Sequence, residues 1–314
     1  MFSRIAWQTD AGLKRLLILL ACLGTAGFAG HFAEWLGLSL LENAKNLLLF
    51  LGVASVFLGT GWALFTQLLK RSQLRLPDRT WTVDSVLILL LRLIACFMVV
   101  GLTSYLVDRH WGIAPAERKQ FVITISGTLF FQVALLFLIR SFLQENQLGW
   151  SSAFGFRDPG AWKGIALGAG LAVLVLPVNV GLIWVSQKGM EWRSIQPVVQ
   201  QTIETLRTTT ELQDRLLLGL LAIVTAPLSE ELLFRGIFYP AIKQAGLPNL
   251  ALWGTAILFA LTHANMMTFL PLMLLALTLT LLYEHTGNLL APIVTHSLFN
   301  ATNFAWVLIE PQTR

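Results

Sequence analysis

Apolar residues run almost unbroken through stretches near 15–35, 46–69, 83–107, 120–140, 161–186, 214–242, 250–264, 267–284 and 288–309. A soluble amphipathic helix shows polar side chains at every turn, and these runs do not. A helix needs roughly 20 apolar residues to cross a bilayer, so the pattern predicts an all-α fold: a polytopic membrane helical bundle of about eight or nine transmembrane helices. The run at 250–264 is short. The run at 214–242 is over-long and contains Pro227, which removes a backbone donor and predicts a kink. The first run follows Lys14 and Arg15 and carries small residues at Ala26–Gly30, as a cleaved signal peptide would, but its length favours an uncleaved first span.

Composition agrees with this reading. Hydrophobic residues make up 55% of the chain and charged residues 12%, which excludes a soluble enzyme and a disordered protein. The net charge of +5 comes from basic residues at the ends of apolar runs, where topology and anionic headgroups account for them. No nucleic-acid partner is indicated; the expected partners are the lipid bilayer and a protein or peptide substrate at the membrane. Basic residues favour the cytoplasmic side, including the connection Lys70–Arg79 (KRSQLRLPDR). The expected location is therefore the cell (inner) membrane, multi-pass, with the amino terminus inside. The two cysteines, Cys22 and Cys96, are too isolated for a disulfide framework or a cysteine metal site.

Polar chemistry is unevenly spread. The first half is mostly lipid-facing, and Gln147–Gly160 (QLGWSSAFGFRDPG) reads as an aromatic, glycine-rich connection. This suggests accessory transmembrane helices over 1–150 and a core over 151–314. Arg92 with Asp84 two turns earlier reads as a structural pair or a snorkelling side chain, Asn179 after Pro177 as a cap for freed backbone groups, and Gly164 with Gly168 as a small-xxx-small packing face.

The last third is different, because ionisable groups inside spans cost several kcal/mol and mark functional sites by default. Glu230, Glu231 and Arg235 (SEELLFRG), His263 (FALTH), and His296 with Asn300 (HSLFN) all lie in predicted spans. At about 100° per residue, Glu231 and Arg235 share a helix face and Glu230 does not. One glutamate is then neutralised and the other left open. His296 and Asn300 point together, and Phe259 lies one turn before His263. At about 1.5 Å per residue, Glu230 sits roughly 18 Å and His263 roughly 22 Å from the loop joining their spans, and His296 roughly 12 Å from a loop on the same side. The three can therefore meet within the membrane, and the orientation above opens their site to the cytoplasm. A desolvated carboxylate can take a proton from water near neutral pH while histidine and asparagine serve an oxyanion, as peptide-bond hydrolysis requires. The bland alternative is a buried polar network holding helices together, in a non-catalytic membrane scaffold or a transporter. Glu230, His263 and His296 could also be three ligands of a catalytic zinc, although there is no HExxH helix.

These motifs, in this order, resemble those of the CAAX protease and bacteriocin-processing family of intramembrane proteases, relatives of the Ras-converting enzyme also called abortive-infection proteins. EExxxR is matched by Glu230, Glu231 and Arg235, FxxxH by Phe259 and His263, and HxxxN by His296 and Asn300; the likeness covers roughly residues 215–305. The resemblance implies an intramembrane endopeptidase acting on a membrane-associated, prenylated or peptide substrate. Glu230 would activate water with His263, His296 and Asn300 would stabilise the oxyanion, and Glu231, Arg235 and Phe259 would support them. It admits a metal-dependent protease with Zn as well as a metal-free one; Glu230 as general base is the favoured reading, and the metal stays open.

Overall fold

The computed structural model describes residues 81–110, 116–156, 161–196 and 200–309. The expected spans near 15–35 and 46–69, the signal-peptide reading, Cys22 and the Lys70–Arg79 connection lie outside the described residues. Among those described, all regular structure is helical. We number the helices α1 (Val83–His110), α2 (Ala116–Glu145), α3 (Trp150–Phe154), α4 (Ala161–Trp192), α5 (Gln201–Thr208), α6 (Leu212–Gln244), α7 (Pro248–Thr262), α8 (Met266–Thr286) and α9 (Leu290–Ile309).

Helices α1, α2, α4, α6 and α8 are long and apolar enough to cross a membrane. Helix α7 has only 15 residues. Helix α9 has 20, but His296, Asn300 and Asn303 dilute its apolar character. These seven helices match the seven later apolar runs, so the chain is an all-α integral membrane protein.

Burial rises along the chain. In the most apolar stretch of α1 only 11% of residues are buried, against 67% in α8. Helix α8 is thus the central post, contacted by α4 and α7, while α1 pairs with α2 at the periphery. Side chains such as Phe97 and Met98 on α1 are exposed. The start of α8 is capped by Asn265, whose side chain accepts from the backbone N–H of Met267 (3.0 Å) and Thr268 (3.2 Å). Its end is set by Gly287 in the left-handed region, φ 66°.

Glycine allows α4 to approach α9 closely. A Cβ on Gly168 would stand 2.6 Å from the Ala291 carbonyl oxygen and 2.7 Å from Thr295 Oγ1, and the Thr295 hydroxyl donates to the Gly168 carbonyl at 3.0 Å. The small-residue face expected at Gly164 and Gly168 is therefore a packing face against α9.

Three expectations need correction. Arg92 does not pair with Asp84; its Nη1 donates to Glu145 on α2 at 2.8 Å, because the antiparallel hairpin brings the end of α2 beside the first turns of α1. Asn179 donates to the Val175 carbonyl at 3.1 Å, one turn back, whereas Pro177 frees the carbonyl of Val173. Finally, residues 147–156 are more than a connection. Helix α3 buries Phe154 completely, the Leu289 N–H donates to the Phe154 carbonyl at 3.0 Å, and Gly236 leaves the space that its ring fills.

The kink expected at Pro227 takes a specific form. Helix α6 contains two five-residue π-helical turns, Leu221–Thr225 and Phe234–Phe238, and after each the α-helix resumes with a proline in its first turn, Pro227 or Pro240. A π-turn widens the helix by one residue, which gives the proline ring room that a regular helix would deny it. The EExxxR segment lies between and across these two turns.

Candidate active site

The site is assembled from α6, α7 and α9. Arg235 Nη1 donates to Glu231 Oε1 at 2.7 Å, both side chains being almost wholly buried, so the i, i+4 pair expected from the sequence is present. Two charges in an apolar interior need more than each other. Arg235 Nη2 also donates to the Ala276 carbonyl of α8 at 3.0 Å, and its guanidinium lies over the Phe259 ring, 4.7 Å from the centroid.

Glu231 has a second partner, one that sequence periodicity could not foresee. His296 Nδ1 stands 3.0 Å from Glu231 Oε1. A carboxylate oxygen accepts, so Nδ1 carries the proton and donates. Nε2 then faces Glu230, 3.8 Å from its Oε2. That gap exceeds a direct hydrogen bond and suits a bridging oxygen. Glu230 is one residue and about 100° around α6 from Glu231, with 29% of its side chain exposed. The sequence expectation of one locked and one open glutamate is met geometrically.

His263, just past the end of α7, is half-buried. Its Nδ1 donates to the Phe259 carbonyl at 2.8 Å, which leaves Nε2 of the neutral ring as an acceptor. Phe259 is wholly buried and touches both imidazoles, with centroid distances of 5.0 Å to His263 and 5.7 Å to His296. Phe234 braces it edge-on at 5.2 Å. Phe259 is thus the hub that sets the two histidines relative to each other.

Asn300 lies one turn beyond His296 on α9, and its Nδ2 donates to the Ala222 carbonyl at 2.8 Å. The reason lies in α6. In the first π-turn the Ala226 N–H bonds back five residues to Leu221; in the same register the Ala222 carbonyl would look to residue 227, which is proline and has no N–H. Asn300 fills that vacancy and keeps its second Nδ2 hydrogen.

The zinc alternative needs Glu230, His263 and His296 to converge as ligands. Among the described residues no three His, Cys, Asp or Glu side chains form a group able to hold a metal ion. Both histidines spend Nδ1 on an oxygen acceptor and keep Nε2 open, the arrangement that metal-ligating imidazoles also use, so only the spacing of the three side chains speaks against a zinc centre; the chemistry below routes no step through a metal.

Sequence reasoning missed several contributors. Ala222 and Ala276 act through backbone carbonyls, which leave no trace in composition. Gln132, a buried amide in the apolar run of α2, was visible as a polar residue in a span. Thr225 donates through Oγ1 to Gln132 Oε1.

Residues 212–302 match the family model described as Type II CAAX prenyl endopeptidase Rce1-like. The match begins at α6, ends within α9, and contains all three motifs. No curated protein and no solved structure matches the chain.

Proposed function

Starting from an integral membrane protein whose residues 212–302 match a family of type II CAAX prenyl endopeptidases, we propose that Glu230 is the general base of an intramembrane endopeptidase that cleaves a membrane-associated protein or peptide. The family supports a CAAX-type protease in general. The roles of individual residues and the prenylated or peptide nature of the substrate are our reading, as are a core over 151–314 with accessory helices before it, and a site facing the cytoplasm from the cell membrane.

One observation carries the proposal. Of two adjacent glutamates in an apolar helix, Glu231 is held by Arg235 and His296, while Glu230 is partly exposed and faces His296 Nε2 across 3.8 Å. Glu231 Oε2 and Glu230 Oε2 are both buried without a hydrogen-bond partner, but only Glu230 lacks a close cation and keeps part of its side chain exposed.

The chemistry follows from these positions. Glu230 takes one proton from water while His263 Nε2 accepts the other O–H, orienting the oxygen toward the scissile carbonyl carbon. The new C–O bond pushes the carbonyl electron pair onto its oxygen, served by the remaining Nδ2 hydrogen of Asn300 and by His296 Nε2, which receives across the short gap from Glu230 the proton that Glu230 took from water. Collapse breaks the C–N bond; the first water proton returns from His296 through Glu230 to the leaving nitrogen, and the second passes through His263 Nε2 to the same nitrogen, giving a carboxylate and an ammonium group with all three side chains restored. Glu231 and Arg235 hold His296 in its tautomer and orientation, as the carboxylate does in other histidine-based sites.

The test compares new peptide termini by mass spectrometry in membranes carrying the wild-type protein or Glu230→Gln at matched abundance. We expect termini that appear only with the wild type, with thermal stability unchanged in the variant. Identical profiles from two folded, expressed proteins would overturn the protease reading and favour a scaffold or a transporter.

A further inference from the structure

Helix α2 lies outside the family match, yet it reaches the site. Gln132 is 6% exposed in the middle of an apolar span, where a polar side chain needs a partner. That partner is the hydroxyl of Thr225, the last residue of the first π-turn of α6, whose one hydrogen is shared between Gln132 Oε1 and the Leu221 carbonyl of its own turn at 3.0 Å. The same turn presents the Ala222 carbonyl, left without an N–H by Pro227, to Asn300 Nδ2 at 2.8 Å. The π-turn is therefore gripped from two sides, by Gln132 from α2 and by Asn300 from α9, and the second grip sets where the asparagine amide points.

We infer that Gln132 is a positioning residue for Asn300, acting through the π-turn Leu221–Thr225. π-turns are softer than regular helix and recur at functional sites. If the turn relaxes, the Ala222 carbonyl moves, and the Asn300 amide moves with it. An oxyanion donor displaced by about 1 Å can cost up to about 100-fold in rate. Helix α2 thus has a defined task, which is to hold the π-turn of α6 in register with α9. The inference rests on the protease reading for its consequence in rate, but its structural half stands without that reading.

Two readouts test it in the full-length protein. The first needs no substrate: hydrogen–deuterium exchange over residues 221–227 in Gln132→Met, which keeps side-chain length and loses the acceptor, and in Thr225→Ser, which keeps the hydroxyl donor. Faster exchange confined to that segment in Gln132→Met, with Thr225→Ser close to wild type, is expected. Unchanged exchange in Gln132→Met overturns the clasp. The second is a double-mutant cycle on the rate of appearance of the Glu230-dependent termini. Gln132→Met should slow cleavage about 10- to 100-fold in the wild-type background and have no further effect in Asn300→Ala. An equal effect in both backgrounds overturns the link to Asn300 even if the clasp is real. A wild-type protein with no Glu230-dependent termini would sink the protease reading alone, and the exchange result would still decide the clasp. Should Gln132→Met fail to fold, Thr225→Val against Thr225→Ser makes the same comparison from the other side of the bond.

Discussion

Helix α6 carries two buried charge clusters, and they are built differently. At its far end Lys243 and the Tyr239 hydroxyl both engage Glu284 of α8, and the cluster's single carboxylate has a cation and a hydroxyl to itself. Two turns earlier, Arg235 and His296 share Glu231, while the neighbouring Glu230 stands 3.8 Å from the nearest nitrogen of His296. In an apolar medium a carboxylate without close partners is costly. The first cluster joins α6 to α8; the second leaves Glu230 without a close partner, as the proposed protease requires of the carboxylate that is to meet a water. Under that proposal the same helix fastens in one place and acts in the other.

The largest effect should come from leaving Glu231 without its cation. Arg235→Met is expected to destabilise the fold by about 3–5 kcal/mol, the cost of an unpaired buried charge, read as thermal unfolding in detergent; a loss below about 1 kcal/mol would mean that His296 alone suffices. A sharper contrast comes from replacing whole pairs. Lys243→Met with Glu284→Leu exchanges a buried pair for apolar side chains, a change that is often neutral or stabilising, and cleavage should persist. Glu231→Leu with Arg235→Met should abolish cleavage even where the protein remains folded, because His296 loses its orienting carboxylate. Should cleavage vanish in the first pair and survive in the second, the two clusters have been assigned the wrong way round.

Smaller effects test the scaffold around them. Gly168→Ala should cost about 1–3 kcal/mol by overpacking, since its Cβ meets the Ala291 carbonyl and Thr295; it pushes α9 and His296 away from α4. Gly170→Ala on the same helix, where nothing lies within 4 Å, should change stability by no more than about 1 kcal/mol. Arg92→Gln should have the least effect, about 0–1 kcal/mol, because the Arg92–Glu145 pair is about two-fifths exposed on both sides.

Much of the site was legible because it rests on local helical geometry. The pairing of Glu231 with Arg235 and the separation of Glu230 follow from 100° per residue, and they survive the second π-turn because Glu231 lies before it and Arg235 at its start. That His263 and His296 both stand against Phe259, with Glu230 beside His296, agrees with the depths counted from shared loops. The second use of Glu231 was not legible, since nothing in periodicity says which nitrogen of His296 points at which carboxylate. Nor was the docking of α3: Phe154 looked like one aromatic in a connection, and only the space beside Gly236 makes it a core residue.

The pattern along the chain was enough to establish an all-α membrane protein, the positions of its later spans and the three motifs, because the bilayer forces every span to satisfy its own backbone and to be apolar along its length. Long-range partners are another matter. That Arg92 chooses Glu145 over Asp84, that Gln132 grips Thr225, and that Asn300 completes a carbonyl vacated by Pro227 depend on which helix faces stand opposite one another. Helix–helix packing decides that, through close approaches such as Gly168 against Ala291, and it leaves only one or two small residues in the sequence as its sign.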